Sequence, residues 1–230
     1  MHPTHTHTFD VAGAAVARNR LLPVMHLETG EAVLLFAETE KRFEERAVFG
    51  RAAVAAERSD GASSPAIWMA EQVEAVAHDA HNRTTGRPVI VELPLVALIH
   101  PDTAMACDAA IARTRLCPQE ICLEIQDAAL SLPAARNAQD GIEALRRCGF
   151  RVSLNATRSW QCPMSHSLRM LLDSIRVDAR KIESEPELQD RIEAASAAGM
   201  LVIAEHANWR DSYFLSEMGI EYGLKMRADA

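Results

Sequence analysis

Residues 21–38 read LLPVMHLETGEAVLLFAE, and this stretch decides the fold. Two apolar runs, 21–27 and 32–38, have the length and composition of buried β-strands. Only a short polar turn around ETG separates them. A link of this length joins antiparallel strands, because two parallel strands require a much longer crossover connection. The stretch therefore predicts that the fold opens with a β-hairpin.

Further strands alternate with helical patterns along the rest of the chain. Most of these runs are rich in Val, Ile and Leu without a polar face, which is typical of parallel strands covered on both sides. The helical patterns at 132–149 and 185–200 each contain a glycine stop signal, Gly149 and Gly199. Further strands are predicted at 88–94, 120–126, 151–156, 174–179, 201–206 and 221–226. Eight strands in this order predict an α/β protein, a (β/α)8 TIM-like barrel with one antiparallel strand near its start.

The length of the chain suits one barrel. Its 230 residues predict a single domain over 11–230, preceded by a flexible leader at 1–10. The leader alternates His2, His5 and His7, which we interpret as a mobile polar terminus rather than a metal site. Residues 40–63 break the strand–helix rhythm and predict an irregular excursion that ends in a flexible loop.

The composition argues against several classes of function. A formal net charge of −8 disfavours direct binding to nucleic acid or to an anionic membrane through bulk charge. The sequence has no apolar run of the ~18–20 residues that span a bilayer, and its start has no secretory signal pattern. Five cysteines are scattered without a C-x-x-C pair, which predicts reduced thiols in a cytoplasmic protein.

Several segments, in order, resemble a known bacterial family. LLPVMHLETGEAVLLFAE is similar to YQPIVDLxTGxIVGxEALLR, CPQEICLEIQDAAL to PxxLxLEITExxL, and GIEALRRCGFRVSLNATRSW to xLxxLRxLGVxIALDDFGTG. LLDSIRVDARKI is similar to LPxDxLKIDxxFI. The last segment, AASAAGMLVIAEHANWRDSYFLSEMGIEYGLKM, is similar to AxxLGxxVVAEGVETxxQxxxLxxLGCDYxQGY. From about residue 12 to 226, the chain therefore resembles EAL domains, the phosphodiesterases that cleave cyclic di-GMP.

The resemblance implies a metal site that this chain does not reproduce. Family enzymes bind two divalent cations through carboxylates and an Asn at the C-terminal ends of strands, and the metals activate the attacking water. In this chain the signature Glu falls on Phe36 and the strand-three Asn on Glu92. The Asp pair falls on Asn155 and Ala156, and the Lys of KID on Arg176.

Other family positions are partly kept. Two ligand-contacting Gln positions hold Leu22 and Leu224. An alignment slipped by two residues would place Glu38 instead of Phe36 at the signature position, and this alternative stays open. Three acidic residues of the pattern survive and Asp replaces a fourth: Glu124, Asp178, Glu205 and Asp127.

The surviving carboxylates have two interpretations. Glu124 and Glu205 lie in apolar strands, so they need partners, and Arg176 or His206 would serve as a structural counter-charge. Alternatively, Glu92 could help to rebuild a single-metal site, although Asn155 offers only a neutral oxygen. We favour the first interpretation and predict no catalytic residue, no metal and no cofactor.

The loop 157–166, TRSWQCPMSH, replaces the family's Gly-rich loop. Arg158 and Trp160 are candidates for contact with a partner, since Arg and Trp are enriched in interface hot spots. An ordinary ordered loop, with Trp160 as core packing, is an equal alternative.

The resemblance and the departures together favour a non-catalytic EAL-like regulatory protein. It would act through protein–protein contacts with an unidentified partner, in motility control or cyclic di-GMP signalling, and a homodimer is an open possibility. The alternative is a sensor that binds cyclic di-GMP or another nucleotide without hydrolysis. An active phosphodiesterase is the hypothesis that we favour least.

Overall fold

A computed structural model describes residues 19–38, 64–83, 87–131 and 137–226. The leader at 1–10 and the excursion at 40–63 lie outside these described residues, so the predictions for both segments stay predictions.

Eight strands close into one barrel in the order of the sequence. Strand β1 is antiparallel to both of its neighbours, β2 and β8, and every other neighbouring pair is parallel. The predicted barrel with one reversed strand is therefore confirmed. The strands are β1 (Arg20–His26), β2 (Ala32–Glu38), β3 (Val89–Glu92), β4 (Ile121–Gln126), β5 (Arg151–Asn155), β6 (Ser174–Asp178), β7 (Leu201–Glu205) and β8 (Tyr222–Leu224).

Helices follow most of the parallel strands. Gly149 and Gly199 lie just after two of them with φ of 91° and 78°, a left-handed conformation that glycine adopts without strain. The described helices are α1 (Pro65–Arg83), α2 (Leu95–Leu98), α3 (Thr103–Ile111), α4 (Asp127–Leu130), α5 (Ala138–Arg147), α6 (His166–Leu171), α7 (Pro186–Ala197) and α8 (Ser212–Glu217). No described helix is both long and apolar enough to cross a membrane.

The apolar residues form two packed layers. A large cluster, called here the outer core cluster, fills the space between the strands and the surrounding helices. A second, small cluster fills the barrel interior with alternate residues of several strands: Val24, Phe36, Ile90, Cys122, Ile203 and Leu224. All five cysteines are free, and burial raises the pKa of Cys107 to about 12. Ser153 and Ser174 form a buried hydrogen bond between β5 and β6. The carboxylates of the family pattern lie further along the strands, where the parallel strands end.

Candidate functional site: the barrel mouth

The parallel strands bring the family-pattern residues together at one end of the barrel. Glu92 lies opposite Glu124 in the sheet register, and Asn155 lies opposite Arg176. Asp178 lies opposite Glu205 on the next pair of strands. Residues separated by up to 113 positions in the sequence therefore line one mouth.

Arg176 occupies the centre of this mouth. Its Nε donates to Oε1 of Glu124 at 2.9 Å, and its Nη2 donates to Oε2 of the same carboxylate at 2.5 Å. Its Nη1 donates to Glu205, and Glu92 lies 3.9 Å from Nη2. One guanidinium therefore faces three carboxylates, and it binds Glu124 through the two-point geometry that arginine forms best.

Burial makes this cluster sensitive to the loss of a partner. The side chain of Arg176 is 4% exposed, that of Glu124 is 0% exposed and that of Glu205 is 8% exposed. Burial opposes the charge on Arg176, but the nearby Glu124, Glu205 and Glu92 outweigh it and raise the pKa of Arg176 above its ordinary value. Burial likewise opposes the charge on Glu205, but Arg176 and Lys225 hold the pKa of Glu205 below its ordinary value. Both groups are therefore charged at neutral pH.

Lys225 is a second internal cation, and the sequence analysis missed it. Its Nζ lies 2.8 Å from Oε1 of Glu205 and 3.2 Å from Oε1 of Glu38. Burial opposes its charge, but these two carboxylates raise the pKa of Lys225 above its ordinary value. The signal that was available is its place directly after Leu224, at the mouth end of the last strand.

The floor of the mouth is apolar. The ring of Phe36 lies under the guanidinium of Arg176, with 4.5 Å between the guanidinium carbon and the ring centroid, a cation–π contact. Leu224 is fully buried beside Phe36, and Leu22 packs against the same cluster. Glu38 lies two residues beyond Phe36 towards the mouth, where Arg20 and Lys225 contact it. Both candidates for the signature position are therefore engaged within the protein.

The two residues at the positions of the family's Asp pair form hydrogen bonds with backbone groups of the protein. The Oδ1 atom of Asn155 accepts hydrogen bonds from the amide of Thr157 at 3.0 Å and from its hydroxyl at 2.7 Å. The Nδ2 atom of Asn155 donates to Glu124 at 3.3 Å. Ala156 is fully buried in the outer core cluster, and its amide donates to the carbonyl of Arg176. The one neutral oxygen that Asn155 could offer to a cation is thus engaged with Thr157.

Asp178 is engaged locally as well. Its carboxylate accepts from Nε of Arg180 at 2.9 Å and from Nη2 of Arg180 at 2.7 Å. These bonds hold the pKa of Asp178 below its ordinary value. The negative charge of Asp178 is therefore balanced by Arg180, which the sequence analysis did not identify.

Asp127 forms its side-chain contacts with a loop and a helix outside the Arg176 cluster. It opens the short helix α4, is completely buried, and accepts hydrogen bonds from the hydroxyl of Ser159 and the amide of Cys162. Its hydrogen-bond donors thus belong to loop 157–166, and Nη1 of Arg191 on α7 lies 3.8 Å from its Oδ2.

The two predicted partner-contact residues differ in exposure. Arg158 is exposed, whereas Trp160 is half-buried and packs against the outer core cluster. Lys181 lies over the Trp160 ring, 5.3 Å from its centroid. Trp160 therefore has a packing role in addition to any contact role, and Arg158 is the better placed of the two for a partner.

His206 occupies a position that is glycine in the family pattern, and its backbone has a left-handed conformation that favours glycine. Its φ is 63°, in the left-handed region that costs a side-chain-bearing residue about 1 kcal/mol or more. Its amide donates to the carbonyl of Leu224, and its Nε2 lies 3.5 Å from Glu205. The turn after β7 therefore has a conformation that favours glycine, although His206 occupies it.

The metal pair implied by the family does not fit these residues. Hard divalent cations require several oxygen ligands around one point. Within the described ranges, no three His, Cys, Asp or Glu side chains converge on a common metal position. The space between Glu124 and Glu205 is instead taken by the guanidinium of Arg176.

Residues 20–223 match the EAL domain family. No curated protein sequence matches the chain. Among solved structures, the chain is similar to BlrP1 of Klebsiella pneumoniae in a calcium and cyclic di-GMP complex, with 16% identity and a TM-score of 0.70 over 97% of this chain and 56% of that chain.

Two further structures have the same fold. The EAL enzyme Bd1971, in a form with cAMP and cyclic di-GMP bound, has 15% identity and a TM-score of 0.63 over 90% of this chain and 60% of that chain. The phosphodiesterase PaMucR, in a cyclic di-GMP complex, has 15% identity and a TM-score of 0.66 over 90% of this chain and 88% of that chain. The chain thus spans only 56–60% of the length of BlrP1 and Bd1971. At these identities the structures establish the shared barrel, while the match over residues 20–223 establishes that the chain belongs to the EAL domain family.

Proposed function

We propose that this chain is a non-catalytic EAL-domain protein that regulates through contacts with another protein. One observation carries the proposal: the guanidinium of Arg176 lies between Glu124 and Glu205, where it neutralises the carboxylates that a divalent cation would need. A cation would have to displace a buried arginine that makes two-point contact with Glu124. Because both carboxylates are buried, that displacement would first break several charge-assisted hydrogen bonds.

The loss of ligands supports the same conclusion. Two-metal phosphodiester cleavage stabilises the attacking and the leaving oxygens together, so it depends on ligands shared between the metals. Asn155 and Ala156 supply no carboxylate at the family's Asp pair, and Oδ1 of Asn155 is engaged with Thr157. The function that remains for such a barrel is the display of loops and helices on a rigid scaffold.

A second candidate function is binding of cyclic di-GMP without cleavage. It is favoured by the related structures of BlrP1, Bd1971 and PaMucR, whose complexes contain cyclic di-GMP. The apolar residues Leu22, Phe36 and Leu224 argue against it, because the family contacts its ligand at these positions and these side chains here pack together. We therefore rank this function second.

Calorimetry separates the two candidates. The protein is titrated with cyclic di-GMP, first in EDTA and then in Mg²⁺. The proposal expects no binding tighter than about 1 mM in either buffer. Tight binding in EDTA would favour the sensor, while binding that appears only with Mg²⁺ would show that Arg176 does not exclude the metal.

A further inference from the structure

We infer that a surface cavity between α1 and the turn after α3 binds the diphosphate group of a small molecule. The cavity has a volume of about 380 Å³, and six polar side chains line it: His78, His81, Asn82, Arg113, Thr114 and Arg115. Helix α1 ends and strand β4 begins at the end of the barrel opposite to the mouth. The site is therefore separate from the Arg176 cluster and goes beyond the proposed function.

Arg113 is held in a fixed orientation beside the cavity. Its Nε donates to Oε1 of Glu74 at 3.1 Å, and its Nη2 donates to Oε2 of Glu74 at 2.5 Å. Its Nη1 donates to the carbonyl oxygen of Ala109 at 2.9 Å. A guanidinium carries five N–H donors, so these three bonds fix its plane and leave further donors for a ligand.

Arg115 brings a second positive charge to the cavity. Its Nη1 lies 3.2 Å from Nε2 of His81, and because an arginine only donates hydrogen bonds, this nitrogen of His81 is the acceptor. In the parts of the chain that the structure describes, Arg115 forms no ion pair with a carboxylate. Its positive charge is therefore not balanced by a contact within these parts of the protein.

The carboxylates closest to the cavity on α1 are engaged with other groups. Glu74 is the two-point partner of Arg113 and has 28% of its side chain exposed. Oδ2 of Asp79 accepts a hydrogen bond from Nδ2 of Asn19 at 3.3 Å. None of the six side chains that line the cavity is acidic. The lining therefore attracts an anion even though the chain as a whole has a net charge of −8.

Two further carboxylates on these helices lie away from the cavity. Glu71 is seven residues before His78, which places it about 10 Å further along α1, where salt screens its charge. Asp108 lies near Cys148 at the end of α5, since burial and the charge of Asp108 both raise the pKa of that thiol. Neither carboxylate therefore cancels the charge of Arg115.

The turn that carries both arginines is fixed by its own hydrogen bonds. The amide of Arg113 donates to the carbonyl of Ala110 at 3.1 Å, and the amide of Thr114 donates to that of Ile111 at 2.9 Å. The hydroxyl of Thr114 donates to the same carbonyl and accepts from the amide of Leu116 at 3.2 Å. Ile111 and Leu116 are buried on either side of the turn. The turn is therefore ordered before a ligand binds, which lowers the entropy cost of binding.

The donors fit a diphosphate better than a single anionic group. Arginine pairs with phosphoryl oxygens through two parallel N–H donors, so Arg113 and Arg115 can each bind one phosphoryl group. His78 and Asn82 are exposed at the same cavity and supply further N–H donors. The chemistry that the cavity recognises is therefore two linked phosphoryl groups, either free diphosphate or the diphosphate of a nucleotide.

NMR titration of the full chain tests the site. Inorganic diphosphate is added at pH 7 in a buffer without divalent cations, with about 0.15 M NaCl to screen general attraction between exposed charges. We expect saturable amide shifts confined to residues 78–82 and 112–116, with a Kd below about 1 mM. No saturable shift in these two ranges would overturn the inference.

Two charge-matched variants separate the site from general charge attraction. Arg115→Gln removes an exposed guanidinium that balances no buried charge, so the variant should keep the wild-type Tm. Its Kd for diphosphate should rise at least about ten-fold. Arg147→Gln is the control, because Arg147 is exposed at the same end of the barrel, outside the cavity lining, and its loss should change Kd by less than about two-fold. Equal weakening in the two variants would overturn the inference.

Two further probes identify the source of the diphosphate. ADP should shift the same residues as inorganic diphosphate, and adenosine should shift none of them. Tighter binding of ADP would assign the site to a nucleoside diphosphate, whereas equal binding would assign it to free diphosphate. Shifts of residues 112–116 by adenosine, or by ADP without inorganic diphosphate, would contradict recognition of the diphosphate group.

Discussion

Replacement of Arg176 by methionine should destabilise the protein strongly. The substitution keeps the length of the side chain but leaves Glu124 and Glu205 facing each other with side-chain exposures of 0% and 8%. Loss of one partner from a buried ion pair typically costs about 3–5 kcal/mol, because a buried charge is left uncompensated. Lys225 still contacts Glu205, which favours the lower half of this range. For a chain of this size the loss corresponds to a fall in Tm of about 10 °C.

The assay is urea unfolding at pH 7, with Arg180→Met as the control. Arg180 pairs with Asp178 on the same strand end but its side chain is 53% exposed, so its loss should cost no more than about 1 kcal/mol. A loss below about 1 kcal/mol in Arg176→Met, equal to that of the control, would refute the reasoning. It would show that the guanidinium does not carry the charge balance of the mouth.

Three further predictions concern the strained turn, the pH dependence and the vestigial metal positions. His206→Gly relieves a φ of 63° and should raise the free energy of unfolding by about 0.5–1 kcal/mol in urea titrations; a decrease would contradict the strain. Because the folded pKa of Glu205 is lowered, its contribution to stability is present above its unfolded pKa and is lost as pH falls through the folded value. Glu205→Gln should therefore cost more stability at pH 7 than in acid below the folded pKa of Glu205, and an equal cost at both pH values would argue against this charge assignment. Asn155→Asp combined with Ala156→Asp should restore no turnover, because Arg176 still fills the mouth and catalytic groups act as a unit; chromatographic detection of linear dinucleotide from this variant would be contrary to the account.

The fold was predictable because its signals are local. The short ETG link between two apolar runs requires a hairpin, and the glycines after the helices mark where the helices end. Differences are confined to element ends and to subdivision of the predicted segments. The helical pattern at 100–116, for example, forms a helix only at Thr103–Ile111, because the chain from 112 turns towards β4.

The arrangement of the mouth was less predictable because it depends on strands that are distant in sequence. The sequence offered Arg176 and His206 as counter-charges for Glu124 and Glu205, and both contacts occur. The two-point contact of Arg176 with Glu124 depends on the register of β4, β5 and β6, which no local pattern reveals. Lys225 follows the last strand with φ of 52°, a conformation that turns it towards Glu205 and Glu38.

The side-chain partners of Asp127 could not be predicted from the sequence either. The family pattern identified it only as the replacement of a fourth acidic residue, three positions after Glu124. In the structure it opens α4, and its carboxylate accepts hydrogen bonds from loop 157–162. Its partner Arg191 lies 64 positions later, on a helix whose sequence looks like an ordinary amphipathic pattern. Only the packing of α7 against that loop reveals the pairing.

The central claim is that internal cations have taken the place of metal in the barrel mouth, and a cyclic di-GMP hydrolysis assay tests it most directly. Purified protein is incubated with cyclic di-GMP in Mg²⁺ and separately in Mn²⁺, and linear dinucleotide is measured by chromatography. The account predicts no product above the no-protein control with either cation. Product that forms with wild type and disappears with Glu124→Ala would contradict the account, because it would show that Glu124 still serves a catalytic metal.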